Sequence, residues 1–178
     1  MNDSKVEILF YLFSHIDVNV KGDRLEKDWR FTDFYGHFDT NRKQEFWQLL
    51  RSLRDQISLS WLCAGDFNEI MDDGEKKRRV LRLVIQIEDF HEVINECRFM
   101  ELPYSGPRIT WTRKFWSEII EERLDKGLAN KEWLDRFPLL REDHIVVASS
   151  DHLMLLFNVI SQQRRRWSNI RRFRFENM

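Results

Sequence analysis

Asp66 and Asn68 are the residues whose types and spacing first indicate chemistry in this chain. They follow the apolar run that starts at Trp61, so Gly-Asp-Phe-Asn predicts a buried strand that turns sharply at its carboxyl end. On a regular strand, residues two positions apart point to the same face. A carboxylate can hold a metal or a proton, and an amide can hold a phosphate oxygen or a metal-bound water. An Asx turn that only closes the strand is the alternative interpretation.

Other polar residues occupy comparable places along the chain. Tyr35 ends an aromatic run, Asp125 lies within a charged and apolar segment, and Asp151 and His152 lie in a turn between two apolar segments. Because strand ends gather at one edge in layered α/β proteins, we expect one cleft to collect these residues. Taken singly, a turn residue or a solvated charge is the more common role for each.

Strands and amphipathic helices that could position these residues are indicated by periodicity. Besides the run at Trp61, strands are predicted at 6–13, 15–20, 29–36 and 108–112, with interior strands at 144–148 and 153–160. Helices are predicted at 44–57, 80–97 and 131–137, and Asn41 with Gln44 could form a capping box for the first. Residues 119–128 suit either a helix or a strand. The strand, helix, strand order around residues 29–66 predicts a crossover unit and an α/β fold.

Composition excludes several classes of protein. The chain has 178 residues, of which 42% are hydrophobic, and this suits one domain or part of a larger one. Its net charge is -1, so the chain as a whole is not a polycation. The two cysteines, Cys63 and Cys97, form no metal or disulfide pattern, so an intracellular protein of the nucleus or cytoplasm is expected. The apolar residues 6–13 are too short to span a bilayer and lack a cleavage pattern, so we predict neither a signal peptide nor a membrane segment.

Two charged segments lie outside the predicted strands. Asp72, Asp73 and Glu75 have the donor types of a metal site, but a solvated loop is the expected role of this run. The carboxyl-terminal residues 161–178 are basic and aromatic. They could pair phosphates with arginine and stack bases on aromatic rings, or serve only as a basic linker; the residues concerned are Arg164, Arg165, Arg166 and Trp167.

The motifs taken together, in their order, resemble one known superfamily. They are Phe-Tyr-Gly at 34–36, Trp-Leu-Cys-Ala-Gly-Asp-Phe-Asn-Glu at 61–69, Ser-Gly-Pro-Arg-Ile-Thr-Trp-Thr at 105–112, Glu-Arg-Leu-Asp-Lys-Gly-Leu-Ala-Asn at 122–130 and Ser-Ser-Asp-His at 149–152. This set resembles the endonuclease/exonuclease/phosphatase superfamily of DNase I fold. The match is closest to the apurinic-type endonuclease domain of plant LINE (non-LTR) retrotransposons, and it extends from Val6 to the end of the chain.

The resemblance implies a two-sheet α/β sandwich that hydrolyses DNA phosphodiester bonds, with RNA as a further candidate partner. His152 would act as general acid and base or stabilise the transition state, and Asp125 would orient it. Tyr35 would contact the scissile phosphate. These roles agree with general chemistry, because a histidine held by a carboxylate can exchange protons near neutral pH.

The resemblance also implies a divalent metal, Mg²⁺ or Mn²⁺. Asp66 would be a base or a metal ligand, Asn68 would steady the bound water or a phosphate oxygen, and Asp151 would support the metal. The superfamily's opening asparagine and its principal metal-binding glutamate have no counterpart in this chain. We therefore expect residues 1–160 to be an amino-terminally truncated domain with some uncovered apolar sheet surface, and 161–178 to be a basic tail.

Two functions follow from these expectations. The chain is either an endonuclease from a retrotransposon-derived reading frame, impaired by the truncation, or a non-enzymatic remnant with a nucleic-acid-binding tail. They differ in whether another carboxylate, such as Glu69 or Asp72, can replace the missing glutamate. A phosphatase acting on inositol phosphates is a weaker third reading, because one fold can serve several chemistries. Asp33 and Leu153-Met154 are smaller departures from the superfamily pattern.

Overall fold

The computed structural model describes residues 5–22, 27–56, 58–77, 82–116 and 118–159. The helices are α1 (Lys43–Gln56), α2 (Val84–Glu96) and α3 (Lys131–Arg136), and single 3-10 turns lie at Thr40–Arg42 and Asp73–Glu75. The predicted basic tail, with Arg164, Arg165, Arg166 and Trp167, lies outside the described residues. None of the helices in these ranges is long and apolar enough to cross a membrane.

Twelve strands are present in the described part of the chain. They are β1 (Val6–Leu12), β2 (His15–Val20), β3 (Trp29–Tyr35), β4 (Ser60–Asp66), β5 (Lys76–Lys77), β6 (Phe99–Glu101), β7 (Tyr104–Ser105), β8 (Trp111–Phe115), β9 (Glu118–Glu122), β10 (Asp125–Asn130), β11 (Arg141–Ile145) and β12 (Met154–Asn158). A six-stranded sheet has the order β1-β2-β3-β4-β10-β6, and two three-stranded sheets have the orders β12-β11-β7 and β5-β9-β8. The α/β class is confirmed.

The predicted crossover unit is present as β3, α1 and β4. The two strands pair in parallel along their whole length, from Trp29 opposite Ser60 to Tyr35 opposite Asp66. Helix α1 buries Trp47, Leu50 and Leu53 against one face of the six-stranded sheet, where α2 packs beside it. Both parallel strands therefore end at the same edge of the sheet, and a helix fixes them from one side.

The opposite face of β4 and β10 is covered as well. There Leu62 and Ala129 belong to the apolar cluster built on Trp133 of α3. Phe157 of β12 packs against this cluster. A strand buried on both faces is held firmly by its neighbours. The residues at the end of β4 and the start of β10 thus lie on a rigid support.

Several predicted elements differ from those observed. Residues 119–128 form two strands, β9 and β10, because β8 and β4 provide pairing partners that the sequence pattern does not reveal. The segment predicted as an interior strand at 153–160 is the edge strand β12, which alternates exposed and half-buried residues. The capping box of Asn41 and Gln44 is wrong, since the side chain of Asp39 accepts from the Asn41 N–H ahead of a 3-10 turn.

Strand β1 leaves much apolar surface in contact with solvent. It pairs only with β2 among the described strands, and each of its seven residues is exposed. Ile8, Phe10 and Leu12 are among its exposed side chains. One margin of the six-stranded sheet is therefore an apolar, unpaired edge.

Candidate active site

The edge at which β3 and β4 end carries the candidate site. Tyr35 lies opposite Asp66 in the β3–β4 pair, and Asp66 lies opposite Asp125 in the antiparallel β4–β10 pair. Since β10 runs against β4, it begins where β4 ends. Three segments that are far apart in the sequence thus bring Tyr35, Asp66 and Asp125 onto neighbouring strands, about 5 Å apart from one strand to the next.

Asp66 and Asn68 form a closed turn at the end of β4. The Asn68 backbone N–H donates to Asp66 Oδ1 at 2.8 Å, and its side-chain Nδ2 donates to Asp66 Oδ2 at 2.9 Å and to the Gly36 carbonyl at 2.9 Å. Asn68 has a φ of 53°, a left-handed conformation that asparagine tolerates. The Asx turn and a role of both residues in the site are therefore compatible, because the turn itself directs both side chains into the site. Asn68 lies beyond the end of the strand.

His152 joins the two carboxylates. Its Nδ1 lies 2.9 Å from Asp125 Oδ2, and its Nε2 lies 3.9 Å from Asp66 Oδ2. His152 is partly exposed, whereas Asp66 and Asp125 are buried, so the imidazole is the most accessible of the three side chains. One ligand atom from each of the three residues lies within 4.8 Å of the others.

The electrostatics of the three groups are coupled. Burial, and then the charge of Asp125, raises the pKa of Asp66 to about 6. The hydrogen bond that His152 donates to Asp125 is the largest cause that raises the pKa of His152, and the Asp66 charge adds to it. Two buried carboxylates beside one imidazole attract a proton or a cation. Carboxylate oxygens are ligands that Mg²⁺ and Mn²⁺ accept, so the donor set fits such an ion.

Thr110 connects the strand that carries Asp125 to the turn that carries His152. Its hydroxyl oxygen accepts from the N–H groups of Leu124 and Asp125, both at 3.0 Å, and its carbonyl accepts from the Leu153 N–H at 2.7 Å. Sequence reasoning missed this residue. The motif Ile-Thr-Trp-Thr gave no signal for it, because the burial of Thr110 and its bonds to residues distant in the sequence appear only in the structure.

Asp151 and Tyr35 lie beside the three-residue group. The carboxylate of Asp151 is exposed and accepts from the Trp111 indole N–H at 3.1 Å, while its carbonyl accepts from the Thr112 N–H at 3.0 Å. Tyr35 is 54% exposed at the end of β3. The structure thus places all six predicted site residues at one edge, and it brings Asp66, Asp125 and His152 closest together.

Among known proteins, matches to this chain are found only among solved structures. No protein-family model and no curated protein matches the sequence. The endonuclease domain of TRAS1, a telomere-specific non-LTR retrotransposon, matches with a TM-score of 0.67 and 18% identity, covering 92% of this chain and 72% of that one. The 3′ phosphatase NExo from Neisseria, bound to a product DNA hairpin, matches at 0.62 and 14% identity, with 89% and 71% covered.

A third similar structure, beta toxin from Staphylococcus aureus with bound magnesium ions, has a TM-score of 0.50 and 11% identity, with 82% of this chain and 53% of that one covered. An endonuclease/exonuclease/phosphatase family protein is also among the matches. The chain therefore shares the DNase I-like α/β fold of these structures. The fold predicted from the motifs is confirmed.

Glu69 and Asp72, the two carboxylates considered as replacements for the superfamily's glutamate, are engaged elsewhere. Glu69 is fully buried, with Oε2 2.5 Å from the Lys43 ammonium and Oε1 in an ion pair with Arg82. Asp72 is exposed and accepts from the Gly74 N–H at 2.7 Å. Neither belongs to the group formed by Asp66, Asp125 and His152 within the described ranges.

The charged loop after Asn68 is less solvated than predicted. Glu75 is buried and pairs with Arg123 at 2.6 Å and with Lys126 at 3.0 Å. The prediction of a solvated loop is therefore wrong for Glu75, because two buried cations compensate its charge. Arg123 also places its guanidinium over the Tyr104 ring, 4.3 Å from the ring centroid.

Proposed function

We propose that this chain is a metal-dependent phosphodiesterase that cleaves DNA, encoded by a retrotransposon-derived reading frame of the plant LINE type. The observation that carries the proposal is the His152–Asp125 hydrogen bond beside the Asp66–Asn68 turn at an open sheet edge. The similarity to the TRAS1 endonuclease domain and to a DNA-bound phosphatase supports DNA as the substrate.

Each residue of the site has a different role in phosphodiester hydrolysis. Asp125 holds the imidazole of His152 by its Nδ1, which leaves Nε2 directed toward Asp66 and able to exchange a proton with a reacting oxygen. Asp66 accepts a proton from the attacking water. Asn68 fixes Asp66 through two hydrogen bonds, and Tyr35, exposed beside it, contacts the scissile phosphate.

Asp66, Asn68 and Asp151 would hold Mg²⁺ or Mn²⁺, which would neutralise charge that develops on the phosphate. Glu69 and Asp72 contribute nothing to this set, because the first is bound to Lys43 and the second caps a 3-10 turn. We infer that metal affinity and nicking rate are lower than in an endonuclease domain with a further carboxylate ligand.

Nicking of supercoiled plasmid by the full chain tests this function. We expect Mg²⁺-dependent or Mn²⁺-dependent nicking that is abolished by His152→Ala and by EDTA. His91→Ala is the matched control, since His91 is an exposed histidine on α2 that contacts only the Met71 carbonyl among its hydrogen-bond partners in the described structure. No nicking by a folded wild-type chain, or equal nicking by His152→Ala, would overturn the proposal.

The alternative function, a non-enzymatic remnant that binds nucleic acid, rests on residues 161–178 as a separate basic tail. The same experiment separates the two. A folded chain that retains DNA only through this tail would bind DNA without nicking it, and would lose binding when Arg164, Arg165 and Arg166 are replaced by alanine.

A further inference from the structure

Two phenylalanines are exposed at the same sheet edge as the candidate active site. Phe13, in the turn between β1 and β2, is fully exposed, and Phe38, three residues after Tyr35, is 76% exposed. The Ser14 carbonyl accepts from the Tyr35 N–H at 2.8 Å, so the turn that carries Phe13 lies directly beside the end of β3.

Phe38 is supported on one side and open on the other. Its ring stacks on the His37 ring with 4.8 Å between centroids and 20° between planes, and the His37 ring packs in turn on Phe46 at 5.4 Å. The His37 Nδ1 accepts from the Asp39 N–H at 2.9 Å. His37 is therefore held in place, and Phe38 presents an aromatic face whose position is largely fixed before any ligand binds.

The chain between Tyr35 and Phe38 is tied to the candidate active site. The Gly36 N–H donates to the Asp66 carbonyl at 2.7 Å, and the Gly36 carbonyl accepts from Asn68 Nδ2 at 2.9 Å. Phe38 is two residues further on, within about 7 to 8 Å along the backbone. Phe13 lies one strand away on the β2 side, about 5 Å from β3. Phe13 therefore lies in the turn next to the end of β3, and Phe38 lies three residues beyond Tyr35 in the chain.

A single exposed apolar side chain needs no explanation on a protein surface. Two exposed aromatic rings near a candidate site for phosphodiester chemistry have a matching ligand, because each nucleotide next to a scissile phosphate carries a planar base. Bases within a duplex are already stacked on their neighbours, whereas unpaired bases have free faces that aromatic side chains can cover.

From this placement we infer that Phe13 and Phe38 form a stacking platform for unpaired nucleobases next to the scissile phosphate. The preferred substrate is then single-stranded or locally unpaired DNA. The inference rests on the proposed phosphodiesterase function, but it concerns binding, which can be measured without cleavage.

The experiment uses the full chain in EDTA and a DNA duplex that contains a short unpaired bubble with 2-aminopurine. We expect quenching of 2-aminopurine on binding, and an affinity roughly tenfold lower for Phe13→Ala or Phe38→Ala. Phe38→Trp should retain both affinity and quenching. Leu139→Ala is the matched control, because Leu139 is an exposed apolar residue two positions after Phe137, which packs on Trp29 at the start of β3, and should bind like the wild type.

The outcomes separate the platform from the proposed function. Unchanged affinity and quenching in the two alanine variants, or equal affinity of the wild type for bubble and fully paired duplex, would overturn the platform even if plasmid nicking persists. His152→Ala should lose nicking and keep quenching. If the wild type quenches 2-aminopurine through Phe13 and Phe38 but never nicks, the platform stands and the phosphodiesterase proposal fails.

Discussion

The carboxyl group of Asp66 is buried under the end of β4 and faces the charge of Asp125, and for these reasons its pKa is raised to about 6. His152, within 3.9 Å, provides the compensating positive charge when it is protonated. The pKa of His152 is raised, chiefly by the hydrogen bond that it donates to Asp125. A proton or a cation at this point is therefore favoured by the folded structure itself.

Asp66 should make folding stability depend on pH. Because its pKa is higher in the folded than in the unfolded chain, its contribution is fully present below about pH 4 and is lost as the pH rises through about 6. We expect Asp66→Asn to abolish a fall of roughly 2 kcal/mol in the free energy of unfolding between pH 4 and pH 7, measured by urea denaturation in EDTA.

Asp151→Asn is the control for this measurement, since its carboxylate is exposed and bound to Trp111. The same pH profile for wild type and Asp66→Asn would contradict the assignment. Added Mg²⁺ should raise the stability of the wild type at pH 7 more than that of Asp66→Asn, if Asp66 holds the ion.

The elements that carry the site are joined by Thr110 rather than by sequence proximity. The β10 strand begins with Asp125, and the turn before β12 contains His152, 27 residues later. Thr110 accepts two N–H groups from the first and bonds the backbone next to the second. One buried residue thus bonds, through its hydroxyl and its backbone carbonyl, to the segments that carry the carboxylate and the imidazole.

Thr110→Val removes the hydroxyl and keeps the shape. We expect the free energy of unfolding to fall by about 2 kcal/mol or more, because the Leu124 and Asp125 N–H groups lose their acceptor in a buried place. Their amide hydrogen exchange should accelerate, and nicking should fall at least tenfold. Thr110→Ser, which keeps the hydroxyl, should stay close to the wild type in all three; equal loss in both variants would show that the methyl group matters instead.

The whole molecule presents an apolar margin along β1. This strand is paired on one side only among the described strands, and Ile8, Phe10 and Leu12 face solvent. Unpaired apolar edges pair readily with another chain.

Association through β1 should depend on protein concentration. We expect the sedimentation coefficient to rise with concentration for the wild type, and to stay constant for Ile8→Lys, which places a charge on the edge. Leu139→Lys, equally a charge at an exposed apolar position, should associate like the wild type. A wild type that remains monomeric over the whole range would contradict this expectation.

Much of the fold and the residue types of the site followed from the sequence. Periodicity located β2, β3, α1 and α3 within a few residues, because their apolar spacing follows the element's own geometry. The order of the motifs indicated the superfamily fold, and it predicted that Tyr35, Asp66 and Asp125 lie at one edge of the sheet. The sequence did not show whether a strand lies at the edge or in the interior of a sheet. The position of β12 and the strand structure of residues 119–128 depend on pairing partners that are distant in the chain.

The sequence by itself determined which groups are available: two carboxylates, an imidazole, an amide and a phenol at the ends of apolar runs. Only the tertiary structure decided which of them act together. Strand pairing put Asp125 opposite Asp66, Thr110 set His152 against Asp125, and Lys43 bound Glu69. These are contacts between residues distant in the chain, and local patterns carry no information about a partner's distance or about which charges cancel.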